Sequence, residues 1–312
     1  MSYLSPLHIE TPLLESRPLS LRCNKNVWLK MEAMQPSGSF KIRGIGLACQ
    51  EYAKRGAQRF ISSSGGNAGI AVAYAGRQLQ IPVTVVVPET TSTHAKNLIE
   101  QQDAKVIVHG QSWAEANALA HSMLAQQDAF LHPFDDALLW RGHASMIDEV
   151  ANSAMKPEAI VLSVGGGGLF CGVVEGLRRQ GWEDVPVFAV ETTGADSLAQ
   201  SLAAGRRLEL PAITSIATSL GARQISEQAW QSATLHQTKS IVVSDRVAVA
   251  ACQRFLDDHR ILVEPACGAS LALLYECHAA LQAFDTLLVI VCGGVTMTLT
   301  QLQTWSKQFS NA

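Results

Sequence analysis

The chain has 312 residues, of which 47% are hydrophobic and 16% charged, and its net charge is −3. That length suits two domains with a sizeable core. The lack of a basic excess predicts no nucleic-acid partner, and no apolar run reaches the ~20 residues a bilayer crossing needs, so no membrane partner is expected. The first six residues lack the basic-then-apolar pattern of a secretion signal. Seven cysteines without a C-x-x-C pair predict neither a disulfide framework nor a zinc site and point to a reducing, cytoplasmic setting.

In chain order, the pattern predicts a strand at 27–30, a helix at 43–55, a strand at 59–62 and a helix at 69–79. A strand at 83–87, a helix at 91–102, a strand at 105–108 and helices at 114–127 and 143–154 come next. The second half reads as strand 159–162, helix 170–177, strands 187–190 and 240–243, helices 245–259 and 268–281, and strand 286–291. Several strands are apolar throughout, as expected where both faces are covered. The alternation predicts an α/β protein with two open, mostly parallel sheets flanked by helices. The break between the sheets is expected near 133–138, where Pro133-Phe134-Asp135-Asp136 interrupts the pattern.

Ligands of such sheets lie beyond the carboxyl ends of the strands. Three glycine-bearing segments fall there and are expected to converge on one crevice: residues 62–69, Gly165-Gly166-Gly167-Gly168, and Cys292-Gly293-Gly294. The tetraglycine run follows an apolar strand and precedes a helix, which makes a cradle for an anion at a helix N-terminus. No Lys-Ser/Thr closes it as in a nucleotide loop, and the dinucleotide fingerprint fits only loosely. A compact phosphomonoester is the expected tenant.

Pro36-Ser37-Gly38-Ser39-Phe40-Lys41-Ile42-Arg43-Gly44 is the second strong signal. Most lysines are solvated surface charges. Lys41 instead follows an aromatic and opens a helix, where apolar neighbours and the helix dipole both favour a neutral amine. Such an amine forms Schiff bases with carbonyl compounds. An aldehyde carrying one phosphate would need this lysine and the glycine cradle together, and pyridoxal phosphate is that molecule.

These stretches, with Ser64-Gly65-Gly66-Asn67-Ala68-Gly69, Val164 to Leu169 and Cys292-Gly293-Gly294, resemble the motifs of the pyridoxal-phosphate-dependent serine/threonine dehydratases of fold type II. The short L-serine dehydratases are most alike, and the resemblance runs from about 11 to 302. Pro133-Phe134-Asp135, Glu191 to Ser197 and Leu262 to Gly268 also match. The resemblance implies a cofactor in the crevice between a large cofactor-binding domain (1–37 and 138–312) and a small domain (38–137).

The resemblance also implies roles. Lys41 would hold the cofactor, Phe40 would stack on its ring, and Asn67 would donate to the ring's 3′ oxygen. The N–H groups of Gly165, Gly166, Gly167, Gly168 and Leu169 would hold the phosphate. Cys292 would face the pyridine nitrogen as a neutral thiol, favouring β-elimination over transamination. Ser64 would serve proton transfer, and Ser64, Gly65, Gly66 and Asn67 would take the substrate carboxylate. For Ser64 and Asn67, helix capping is the plain structural alternative. Many serine dehydratases carry Ala where this chain has Gly65, which is expected to loosen substrate placement. Ser219 to Gly221 would pack the other ring face. Glu191, Ala195, Ser197, Leu220 and Ala222 resemble the family's monovalent cation site, here for potassium. His94, His109, His132 and His143 lack ligand spacing and read as structural or surface groups.

The implied activity is β-elimination of L-serine, L-threonine or both, giving pyruvate or 2-oxobutanoate and ammonia, by a homodimer. A serine racemase or 3-hydroxyaspartate dehydratase of the same fold is the alternative. A non-catalytic phosphate-ligand binding protein and a nicotinamide-dinucleotide binder are the readings from other classes.

Overall fold

Each run predicted as a strand forms one in the computed structural model, which describes residues 5–310. The N-terminal part comprises β1 (Leu13–Glu15), α1 (Arg17–Cys23), β2 (Asn26–Lys30) and α2 (Lys41–Lys54). Next come β3 (Arg59–Ser62), α3 (Asn67–Leu79), β4 (Val83–Val87), α4 (Thr93–Glu100), β5 (Lys105–Val108), α5 (Trp113–Ser122) and β6 (Asp128–Phe130). The chain continues with α6 (Ala137–Asn152), β7 (Ala159–Ser163), α7 (Gly168–Arg179), β8 (Val187–Thr192), α8 (Ser197–Ala204), α9 (Glu227–Leu235) and β9 (Thr238–Val243). The last elements are α10 (Asp245–His259), α11 (Pro265–Tyr275), β10 (Thr286–Ile290) and α12 (Leu299–Ser310).

The strands make two sheets. One is six-stranded, β1-β2-β10-β7-β8-β9, and parallel except for β1; the other, β5-β4-β3-β6, is parallel throughout. Buried runs such as Val-Thr-Val-Val-Val in β4 and Ala-Ile-Val-Leu-Ser in β7 are covered on both faces by helices, as parallel sheets require.

Helix α6 joins the two cores. Its Leu138 and Leu139 pack with the core of the four-stranded sheet, and its Met146, Ile147 and Val150 with that of the larger sheet. Small residues let it sit close to its neighbours. A Cβ on Gly142 would lie 2.3 Å from the Arg43 carbonyl oxygen, and one on Gly172 of α7 would lie 2.3 Å from His143 Cβ.

The helices expected at 114–127 and 143–154 are Trp113–Ser122 and Ala137–Asn152, one further helix is displaced, and six elements were not expected. The helix expected at 268–281 starts at Pro265, whose fixed φ suits a first helical turn, and stops at Tyr275. Cys277 then turns left-handed (φ +45) before a short 3-10 turn at Ala279–Leu281. Strands β1 and β6, of three residues each, are too short to show a period, and α1, α8, α9 and α12 were not expected.

Candidate active site

The three glycine segments converge. Ser39 bridges to Gly293, and Gly294 N–H donates to the Gly38 carbonyl at 3.0 Å. Val295 N–H donates to Asn67 Oδ1 at 3.2 Å, and Asn67 Nδ2 lies 3.4 Å from Ser219 Oγ. The Ser219 carbonyl in turn lies 3.0 Å from where a Cβ on Gly165 would sit.

Lys41 opens α2 inside this crevice. Its Nζ donates to the Pro133 carbonyl at 2.6 Å and sits 5.1 Å from the Phe40 ring centre. Burial lowers its pKa from 10.5 to about 8, while the nearby Glu264 carboxylate pulls it back up. Phe40 is held edge-on by His143 at 4.9 Å between ring centres, and its N–H donates to the Cys292 carbonyl at 3.1 Å. Cys292 is buried. Its thiol is pushed well above the ordinary range by a hydrogen bond to Cys267 and by burial, so it is neutral near pH 7.

The tetraglycine turn is shaped so that side chains cannot fit. A Cβ on Gly166 would lie 2.4 Å from the Phe134 ring, and one on Gly168 would lie 2.9 Å from the Phe134 carbonyl. Gly167 has φ +97, and a Cβ there would meet Ala229 Cβ at 2.2 Å. Among the described residues, none of the N–H groups of residues 165–169 has a protein acceptor. Five unpaired donors at a helix N-terminus fit a phosphate group.

A second uncapped start lies opposite. Helix α3 begins at Asn67 with Gly66 as its N-cap and no side-chain cap, so neither Ser64 nor Asn67 caps it. Ser64 Oγ accepts from Gly66 N–H at 3.4 Å. Gly65 faces the Thr91 side chain, which fills the space that a Cβ there would enter at 2.7 Å.

Glu264, at the N-cap of α11, lay in a matching stretch of the sequence but was given no role there. Its Oε1 accepts from Asn67 Nδ2 at 2.8 Å, and its Oε2 from Thr296 Oγ1 at 3.3 Å. Burial raises its pKa to about 7, against the bonds from Ser219, Thr296 and Asn67 and the charge of Lys41. The available signal was a carboxylate placed before a proline in an apolar run. Phe134, quoted only as a landmark, packs on the cradle. His132 Nδ1 accepts from Asp135 N–H at 2.8 Å and fixes that turn. His143 is wholly buried with neither ring nitrogen partnered among the described residues.

At the end of β8, Glu191 is buried, and its oxygens accept from Leu198 N–H at 2.8 Å and Ala199 N–H at 2.7 Å, closing α8. Burial pushes its carboxyl up to about 8. Ser197 Oγ is buried without a partner among the described residues. Ala195 N–H donates to Thr192, and the Leu220 carbonyl accepts from Ala222 N–H at 2.8 Å.

A desolvated amine beside an N–H cradle without protein acceptors, in the crevice of two mostly parallel sheets, defines an α/β enzyme of the pyridoxal-phosphate fold type II class. A family model described as "Pyridoxal-phosphate dependent enzyme" matches residues 4–293, and the chain belongs to that family. It is 46% identical over 314 residues to an L-serine dehydratase/L-threonine deaminase of Homo sapiens, covering 97% of this chain and 96% of that one. A Mus musculus protein named serine dehydratase-like is 49% identical over 309 residues, covering 96% and 94%. The crystal structure of a fungal L-serine ammonia-lyase from Rhizomucor miehei superposes with a TM-score of 0.93 at 34% identity, covering 97% and 99%.

Proposed function

We propose that this protein is a pyridoxal-phosphate-dependent lyase that removes ammonia from L-serine, L-threonine or both. The reading rests on one observation: the Lys41 amine, whose pKa burial lowers to about 8, shares its crevice with the unpaired N–H groups of the glycine turn. Its relatives named above carry that activity in their names.

Lys41 and the N–H groups of Gly165 to Leu169 would hold pyridoxal phosphate, with Asn67 toward the ring hydroxyl, Cys292 toward the ring nitrogen and Phe40 against the ring. Bound there, the group supplies an electron sink for a carbanion at the substrate's Cα. The neutral Cys292 thiol limits how deep that sink is, which favours prompt loss of a β-substituent. The uncapped N-terminus of α3, with Ser64 to Asn67, would bind the substrate carboxylate. Lys41, neutral in part at pH 7, takes the proton from Cα. Ser64 Oγ, on the same loop, is placed to hold a proton on the substrate. The fit of Gly166 and Gly168 against Phe134 closes the crevice beside the cradle.

Glu191 and Ser197 suit a hard monovalent cation, because a buried carboxyl there is met only by two backbone N–H groups among the described residues and a buried hydroxyl by none. With Ala195, Leu220 and Ala222 they would hold potassium, and a titration of activity with potassium against sodium tests this. We take 38–137 as the small domain and 1–37 with 138–312 as the large one. A homodimer in the cytoplasm completes the reading, and sedimentation tests the dimer.

The deciding assay measures ammonia from L-serine and L-threonine, with chiral analysis of the unreacted amino acid. Keto-acid and ammonia in equal amounts are expected, with loss of turnover in Lys41→Ala. Accumulation of D-serine without ammonia, or full activity in Lys41→Ala, overturns the assignment.

A further inference from the structure

We propose that Cys23 and Cys277 form an oxidisable thiol pair, at which a low-molecular-weight disulfide such as oxidised glutathione closes a bridge within one chain. The two sulfurs lie 3.4 Å apart although 254 residues separate them. Both thiols point at one carbonyl: Cys23 Sγ donates to Leu274 O at 2.8 Å, and Cys277 Sγ lies 3.7 Å from it. Cys277 Sγ also donates to Arg22 O at 3.3 Å.

Their backbones are pinned to each other. Cys23 ends α1, where Asn24 caps the helix in the left-handed conformation. Cys277 takes φ +45 just past α11. Between them, Arg22 Nε donates to the Tyr275 carbonyl at 2.6 Å, and Lys25 Nζ donates to the Gln282 carbonyl at 2.8 Å. The meeting of the sulfurs is therefore built into the packing of α1 on α11, and a bridge needs their 3.4 Å separation to close to the ~2 Å of a disulfide.

Accessibility separates this pair from the rest. Cys277 is exposed and Cys23 half-buried, whereas Cys49, Cys171, Cys252, Cys267 and Cys292 are buried. Arg22 and Lys25 lie close enough to favour a thiolate, but burial and the hydrogen bond with Cys277 hold the Cys23 thiol up at about 12. Cys277 is thus the entry sulfur and Cys23 the resolving one. The Cys277 thiolate attacks one sulfur of the reagent. A mixed disulfide forms, the reagent's own bond breaks, and one glutathione leaves with the electron pair and takes a proton. Cys23, giving up its proton, then attacks Cys277 Sγ and releases the second glutathione. The two cysteines lose two electrons and two protons, and one disulfide is reduced to two thiols.

The pair sits at the far end of α11 from Glu264, about 16 Å away at 1.5 Å per residue. The result is therefore read without any assay of turnover. The test treats the native holoenzyme with oxidised glutathione and maps peptides under non-reducing conditions. A chain lighter by two hydrogens, with the Cys23 peptide joined to the Cys277 peptide, is expected. The thermal midpoint should rise with it and return on adding dithiothreitol. In Cys23→Ser, one glutathione should remain on Cys277. In Cys277→Ser, the reaction should be lost. The proposal is overturned if wild-type protein keeps glutathione on Cys277, forms bridges between chains instead, or retains both thiols at a reagent excess that modifies Cys23→Ser.

Discussion

Lys41 and Glu264 form an electrostatic pair in which each offsets the other's burial. The sign of the coupling makes a testable statement. In cofactor-free protein, the amine of Lys41 should react with an acylating reagent at a rate that rises through about pH 8, not near the 10.4 of a free lysine. Glu264→Gln removes a negative charge that raises the lysine, so the midpoint should move to lower pH. Peptide mapping at several pH values reads both, and an unmoved midpoint would show that the carboxylate does not act on Lys41.

Gly65 has a different logic at the same scale. The resemblance to serine dehydratases, many of which carry Ala here, suggested looser substrate placement; the Thr91 side chain occupies the space a Cβ would enter. Gly65→Ala should force Thr91 to rotate and raise KM for serine, whereas Gly65→Ala with Thr91→Ala should recover much of the loss. A double-mutant cycle on KM gives the coupling directly. Additive effects would mean that the two positions do not compete for space.

At the scale of elements, the helices divide by how they start. Ser16, Ser92, Ser112, Asp136, Ser226 and Ser244 cap α1, α4, α5, α6, α9 and α10 with their side chains. Helices α2, α3, α7 and α11, which begin at the crevice, have no side-chain cap. At α3 and α7 the free N–H groups are those that the proposed reading gives to the substrate carboxylate and the cofactor phosphate. The two classes should respond differently. Ser112→Ala, which breaks a capping box with Glu115, should lower stability by about 1 kcal/mol and leave pyridoxal phosphate affinity unchanged. Gly167→Ala, at φ +97 and against Ala229, should weaken that affinity and cost about 1–3 kcal/mol. Urea unfolding and a titration of the visible absorbance measure the pair; equal effects on cofactor affinity would remove the distinction.

The same division explains what was legible in the sequence. Strands such as β4 and β7 announce themselves because burial on both faces makes them apolar throughout. The glycine turn and Lys41 were legible because each breaks local expectation strongly. Glu264 was not. Its meaning comes from Asn67, 197 residues earlier, and a pattern read within one window cannot join them. The apolar period placed the starts of α2, α3 and α6 at 43, 69 and 143 against Lys41, Asn67 and Ala137, although Lys41 was also read as opening a helix; a period fixes an element's existence better than its ends.

For the molecule as a whole, Arg43 is the tie between its two halves. It is fully buried, with Nε 2.7 Å from Glu32 Oε2 and Nη1 2.6 Å from Glu149 Oε1, and Lys30 joins Glu149 from the other side. Removing one member of a buried cluster leaves the others uncompensated. Arg43→Met should therefore cost about 3–5 kcal/mol, and Arg43→Lys should rescue little because one ammonium cannot replace the fork. Since Arg43 lies two residues from Lys41, the same variant should also release the cofactor more readily. Urea midpoints and cofactor retention on gel filtration test the two effects together.

Acid should dismantle the molecule in two stages whose order follows from the signs. His143 is held neutral, well below 6.5, by burial first and by Lys41 and Arg43 second. His8 and His132 are lowered to about 4, again mainly by burial. A histidine whose folded pKa is depressed contributes stability above its unfolded pKa and loses it as pH falls. The first loss thus begins near pH 6.5 and continues to about 4. Glu149 follows. Burial alone would raise it, but Arg43 and Lys30 hold it below 4.5, so its contribution is intact when the histidine loss begins and disappears below that value. Between the two unfolded pKa values, each fully buried histidine should tilt stability by about 1.4 kcal/mol per pH unit. His143→Leu removes one such group without touching Glu149. The urea midpoint of that variant should fall less steeply than wild type from pH 6.5 downward, and the two curves should run parallel only below the folded pKa of His143. Parallel curves in the upper range would mean that His143 takes up its proton in the folded state.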